Sequence, residues 1–107
     1  MTITIEYKGE SYKLGFTRDS IKRMEDRGFD FSKAEQRQIS SLFDLVEGAF
    51  RTYTPKITTE KVMEIWGVLK GKDELYKALF EMFQEPLKVL NEPDEEESGN
   101  ATWKVVK

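Results

Sequence analysis

The spacing of apolar residues changes near residue 17, and this change constrains the fold more than any other feature of the sequence. Over residues 2–16 apolar and polar side chains alternate, beginning with Ile3, Ile5 and Tyr7. Later apolar residues recur at steps of three and four. Because alternation is typical of strands and the longer step of helices, we predict an α+β, mainly α fold, in which an N-terminal β-hairpin packs on a bundle of about four helices.

The turn of the predicted hairpin lies within residues 8–11. Placing Gly9 and Glu10 at its centre gives glycine the first central position, which a type II′ turn favours. A turn centred on Lys8 and Gly9 would instead set Tyr7 opposite Glu10, so we prefer the first register. The preferred register pairs Tyr7 with Tyr12, Ile5 with Leu14 and Ile3 with Phe16.

Capping signals delimit the first two predicted helices. Thr17 is placed to cap a helix over residues 18–27, and Gly28 follows as a natural C′ residue. A second helix is predicted to start after Ser32, which has capping-box spacing, and to end before Pro55. Its apolar stripe consists of Ile39, Leu42, Phe43, Val46, Phe50 and Tyr53.

Two further helices are predicted in the second half of the chain. Thr58 is expected to cap one over residues 59–70, and Gly71 to end it. The last helix covers about residues 73–90 and should kink or break at Pro86, since proline lacks a backbone N–H. The predicted core takes the apolar face of each element: Ile5, Leu14, Ile21, Leu42, Phe43, Val46, Ile65, Leu79 and Phe83.

The composition divides the chain into three parts. Residues 1–91 are predicted to form the hairpin and helical domain, 92–101 an acidic flexible linker, and 102–107 a β-prone terminal segment. In that segment Trp103 and Val105 either add a third strand to the edge of the hairpin or bind a partner. We expect the strand.

The absence of histidine and cysteine limits the chemistry that the chain can perform. Hydrolytic triads and thiolate or imidazole metal sites need these side chains. The carboxylate pair Glu60 and Glu64, like the pair Glu81 and Glu85, lies on the polar face of a predicted helix, where solvated carboxylates are the ordinary case. We therefore expect no catalytic residue, no bound metal and no cofactor, and hence no enzyme.

Charge and hydropathy argue against two classes of partner. The net charge is −3, and the basic residues of the first predicted helix alternate with acids, which does not favour nucleic acid. No apolar run approaches the roughly 20 residues of a membrane span. We expect a protein partner instead. Phe29, Phe31, Tyr53 and Trp66 are candidates to line a groove for it between helices, together with Trp103 and Val105 if the tail contributes. Plain core is the more common role of such aromatic residues, and it is the interpretation that we favour for the first four.

Several segments taken together resemble a known family. They are the Ile-x-Ile-x-Tyr-Lys-Gly-x-x-Tyr-x-Leu-x-Phe hairpin at residues 3–16, the Thr-Arg-Asp-Ser-Ile-Lys-Arg-Met-Glu helix at 17–25, a helical body, and an acidic stretch that leads to Trp103. The body contains Ile65-Trp66, Glu81-Met82-Phe83 and Glu85-Pro86-Leu87. In these anchors and their spacing, the chain resembles the small tail assembly chaperones of tailed phages and prophages of Gram-positive bacteria.

The resemblance implies a function without catalysis. Chaperones of this kind bind the long tape measure protein in the host cytoplasm before the tail tube polymerises, and they are absent from the mature virion. The tail tube protein is a second candidate partner. Two alternatives stay open, namely a structural tail or head–tail connector component and an adaptor that binds a host factor, and the sequence leaves the oligomeric state open.

Overall fold

The computed structural model describes residues 2–91, with side chains up to Lys88. Within this range it contains an antiparallel hairpin followed by helices, which confirms the α+β, mainly α prediction. The elements are β1 Ile3–Tyr7, β2 Glu10–Leu14, α1 Arg18–Asp26, α2 Phe31–Glu35, α3 Ile39–Tyr53, α4 Thr59–Val68 and α5 Lys72–Asn91. The predicted linker and the predicted terminal strand lie outside the described residues.

The register of the hairpin differs from the one that the sequence favoured. Ile5 faces Tyr12 and Tyr7 faces Glu10, so the turn is centred on Lys8 and Gly9. Both central residues have positive φ, 50° and 82°, as a type I′ turn requires, and the twist of such a turn matches that of the strands. Our preference for the type II′ turn was therefore wrong. The observed register still puts all the alternating apolar side chains on one face.

This turn gives a first prediction. Lysine at a left-handed position is strained, whereas asparagine tolerates it and Asn-Gly is a favoured pair in type I′ turns. We expect Lys8→Asn to raise the free energy of unfolding by about 0.5–1 kcal/mol, measured by urea denaturation. The ion pair that the variant loses, between Lys8 and Glu64 at 3.9 Å, is exposed and contributes little. Lys13→Asn in β2 is the control, and an equal gain there would contradict the explanation.

The predicted caps of α1 and α4 are confirmed. The Thr17 hydroxyl accepts from the Ser20 backbone N–H at 3.1 Å, and Ser20 Oγ accepts from the Thr17 N–H at 2.8 Å. Thr58 caps α4 by accepting from the Lys61 N–H at 3.1 Å. At the end of α1, Gly28 has φ 96° and donates its N–H to Glu25 in a Schellman arrangement. These local signals position α1 and α4 as the sequence predicted.

The predicted second helix is interrupted, which the sequence did not indicate. Its first turn is α2, capped by Asp30 rather than by Ser32, and residues 36–38 then separate α2 from α3. Arg37 occupies the left-handed position that glycine usually takes, with φ 64°. Its guanidinium lies 3.2 Å from the Asp73 carboxylate and 5.7 Å from the centre of the Tyr76 ring. These contacts with α5 offset part of the backbone strain.

The other helix ends differ from the prediction in smaller ways. Of the expected kink or break at Pro86, the break does not occur, because α5 continues through this residue to Asn91. A single proline removes only one helix hydrogen bond, and the apolar face of α5 is packed on both sides of it. Helix α4 ends at Val68, earlier than predicted, with Leu69 already extended. Within residues 2–91 no helix is both long enough and apolar enough to cross a bilayer.

Helix α3 lies at the centre of the fold and contacts β2 and the four other helices. Seven predicted core residues are buried: Ile5, Leu14, Ile21, Val46, Ile65, Leu79 and Phe83. The prediction was wrong for Leu42 and Phe43, which are only half-buried. Leu45, Ala49 and Phe50 occupy the centre instead, because neighbours on several sides bury a wider and rotated face of α3.

Candidate partner-binding surface

Two of the predicted binding residues, Phe29 and Phe31, lie against the same ring of the core. The Phe31 ring stacks on Phe83 with centroids 4.7 Å apart and planes 4° apart. The Phe29 ring lies 5.4 Å from Phe83 at an angle of 57°, and Phe16 meets the edge of Phe83 at 5.2 Å. Phe29 and Phe31 are both half-buried. They therefore close one side of the core and also present part of their surface to solvent.

A charged cap holds Phe31 in place at the start of α2. The Asp30 carboxylate accepts from the Ser32 hydroxyl at 2.7 Å and from the Ser32 backbone N–H at 2.9 Å. These hydrogen bonds favour the ionised form and lower the pKa of Asp30, with the hydroxyl as the largest cause. Because the folded pKa is the lower one, the stabilisation is present above the ordinary aspartate range and is lost as the pH falls through the folded value.

The cap gives a second prediction. We expect Ser32→Ala to raise the pKa of Asp30 part of the way towards its ordinary value, because the backbone N–H still donates to the carboxylate. NMR titration of the Asp30 side chain measures this shift. Ser40→Ala, at an exposed position, is the control and should leave the titration unchanged. An unaltered pKa in Ser32→Ala would show that the hydroxyl does not stabilise the charge.

The other two described candidates lie elsewhere. Tyr53 is 41% exposed at the end of α3, where its ring packs beside Gly15 and lies 4.6 Å below the Lys13 ammonium. Trp66 is only 7% exposed and donates from Nε1 to the Tyr76 hydroxyl at 3.3 Å, as a core residue does. The four aromatic residues therefore do not line one groove, and Trp66 has the core position that the sequence favoured. Trp103 and Val105 lie outside the described residues.

A groove of about 590 Å³ does open between α1 and α3. Of the four predicted binding residues that the structure describes, only Phe29 lines it. The absence of a side chain at Gly48 leaves room for Met24 at the floor of the groove, because a Cβ atom at position 48 would lie 2.5 Å from the Met24 sulfur. The full lining is Ser20, Arg23, Met24, Arg27, Phe29, Asp44, Glu47, Gly48, Arg51, Thr52 and Pro55. The groove thus combines an apolar floor with charged walls.

Helix α3 forms one wall of this groove, called here the α3 wall, and this wall carries a compact polar network. Arg51 Nη2 lies 3.1 Å from Glu47 Oε2, and the Thr59 hydroxyl donates to the same oxygen at 2.6 Å. The Nε atom of Arg51 is buried and has no hydrogen-bond partner within the described part of the chain. Partial burial raises the pKa of Asp44, and the neighbouring Glu47 raises it further. This wall therefore holds a buried donor without an acceptor among the described residues and a carboxyl group whose pKa lies above its usual value.

The opposite wall, formed by α1 and its C-cap residue Arg27, carries two guanidinium groups. Arg23 and Arg27 are four residues apart on the same face of the helix, and both line the groove. Neither guanidinium group forms an ion pair or a hydrogen bond with any residue between 2 and 88. The two guanidinium groups are therefore available to an acidic ligand.

Sequence reasoning missed most of this surface, because it searched for aromatic residues. One signal could have located it. Glycine in the middle of a helix costs about 1 kcal/mol relative to alanine, so Gly48 within the most regular amphipathic helix calls for a packing reason. Its close contact with Met24 supplies that reason. Among the described residues, no cluster of acidic side chains is arranged to hold a metal ion.

Residues 1–106 match the model of a family described as a domain of unknown function, DUF5055. No curated protein and no solved structure matches the chain.

Proposed function

We propose that this chain, which belongs to the DUF5055 family, is a non-catalytic tail assembly chaperone that binds the tape measure protein of a phage or prophage. The observation that carries the proposal is the open groove between α1 and α3, with its floor at Met24 and Gly48 and its arginine-lined α1 wall. The resemblance to tail assembly chaperones in the hairpin, the first helix and the acidic stretch supports the same function.

The groove suits the class of partner that the proposal names. A tape measure protein exposes long amphipathic helices, and such helices bind by laying an apolar face into a groove while charged residues contact its rim. Further apolar surface is available outside the groove, at Met63 and Val68 of α4 and at Ile39, which is 85% exposed. In this proposal the chain acts in the host cytoplasm, leaves before the virion is complete and uses neither a metal nor a cofactor.

Gene neighbourhood and co-expression test the proposal. A very long helical reading frame directly downstream would identify the tape measure protein. Co-expression with that protein should raise its soluble yield, and the two should co-purify. A tape measure protein that is equally soluble alone, or that does not co-purify, would contradict the proposal.

A pair of glycine substitutions tests whether the groove is the binding site. Gly48→Leu should fill the floor beside Met24 and weaken capture of the tape measure protein by about tenfold or more, since the groove would no longer accept an apolar side chain. Gly67→Leu is the matched control, because a Cβ atom at Gly67 meets nothing within 4 Å. Circular dichroism establishes that both variants fold. Equal capture by both folded variants would place the binding site elsewhere.

Two further results would favour the alternatives. Many copies of the chain in purified particles would indicate a structural tail or connector component. A host protein as the specific partner in a pull-down would indicate an adaptor.

A further inference from the structure

We propose that the acidic segment 92–97 of this chain docks in the α1–α3 groove, against Arg23 and Arg27. The segment contains five carboxylates within six residues, Glu92, Asp94, Glu95, Glu96 and Glu97. The groove contains two guanidinium groups without a partner between residues 2 and 88. Docking would therefore bring charges of opposite sign together.

The chemistry of the groove favours a carboxylate ligand. Guanidinium groups are donors only, and their hydrogen bonds to carboxylates are among the strongest in proteins. The opposing charges are Asp44 and Glu47, which both lie on the α3 wall, and Glu47 is paired there with Arg51. An acidic chain is therefore expected to follow the α1 wall.

The connection between the segment and the groove is short enough. Phe29 lines the groove and contacts Phe83 of α5. Asn91, the last residue of α5, lies about 12 Å further along this helix, at the usual rise per residue. The six residues that follow can span about 20 Å when extended, which exceeds the length of helix that separates Asn91 from Phe83. Tethering gives the segment an effective concentration in the millimolar range, so weak ion pairs can keep the groove occupied.

The docked segment would cover the surface that the proposed function assigns to the partner. A tape measure protein would have to displace it, and this consequence alone rests on the proposed function. The docking itself is a property of the isolated chain, so the experiment needs no partner, and its failure would leave the chaperone proposal standing.

Paramagnetic relaxation in the full-length chain tests the docking. The sequence has no cysteine, so Ser98→Cys gives a single site for a nitroxide label beside the acidic segment. We expect the label to broaden the amide resonances of Gly48 and Thr52 relative to the reduced sample. Arg23→Gln/Arg27→Gln should lower the docked population by about fivefold or more, as should high salt, because charge-assisted hydrogen bonds are lost or screened. The control Arg18→Gln/Lys22→Gln removes the same charge at the same spacing outside the groove and should preserve the broadening.

Three outcomes would overturn the proposal. In the first, the Gly48 and Thr52 resonances are not broadened. In the second, the two double variants reduce the broadening equally, which would indicate general charge attraction instead of docking at Arg23 and Arg27. In the third, the broadening arises between a nitrogen-15-labelled chain and a separate spin-labelled chain, which would make a second copy the occupant.

Discussion

Replacing Phe83 by alanine is expected to lower the free energy of unfolding by about 3–5 kcal/mol, the range for a fully buried phenylalanine. Phe83 is 1% exposed, and its ring contacts those of Phe16, Phe29 and Phe31. Removing it would leave a cavity under α1 and α2 together. Domains of this size are stable by only about 5–15 kcal/mol, so the variant would be close to unfolding at ambient temperature.

Urea denaturation monitored by circular dichroism measures this loss. Phe80→Ala is the matched control, because Phe80 lies on the same helix, is half-buried and makes one ring contact, with Phe31 at 5.9 Å. Its loss should be clearly smaller. Equal losses in the two variants would show that the aromatic cluster is not centred on Phe83.

Replacing Leu45 by alanine is expected to lower the free energy of unfolding by about 2–5 kcal/mol. The same change at Leu42 should lower it clearly less. Both leucines belong to α3, and they differ by less than one turn in position. Leu45 is fully buried in the central cluster, and Leu42 is half-buried. Because both variants make the same substitution in the same helix, the effect of helix propensity cancels. The difference between the two losses of unfolding free energy therefore shows which face of α3 is buried.

The same denaturation experiment distinguishes the two leucine variants. If Leu42→Ala is the more destabilising, α3 is rotated towards the orientation that the apolar stripe of the sequence suggested. That result would also place Gly48 away from Met24 and close the α1–α3 groove. The comparison thus tests the core and the candidate binding surface together.

The candidate binding surface was only partly predictable. Phe29 lines the groove between α1 and α3, which is one of the two positions that the sequence left open for it. Trp66 is core, the interpretation that the sequence favoured, since an indole ring with a hydrogen-bond partner is readily buried. The charge pattern indicated a solvated face at Arg23 and Arg27. That their guanidinium groups lack partners among the described residues follows from side-chain positions, which no charge pattern specifies.

The sequence by itself determined the features that depend on neighbouring residues. The alternation before residue 17 gave the hairpin, and Thr17, Gly28 and Thr58 set helix ends through hydrogen bonds to residues a few positions away. Such interactions form within a single turn of the chain, so their residue types can be read directly. The mainly α architecture follows from the same periodicity.

Only the tertiary structure decided the features that depend on contacts between distant residues. Arg37 ends α2 without a glycine because Asp73 and Tyr76 hold its side chain from α5. The buried face of α3 centres on Leu45, because β2 and the other helices surround this helix on several sides. The physical reason is the same in both cases: packing against distant elements outweighs local preferences of about 1 kcal/mol, and the sequence does not state which elements will meet.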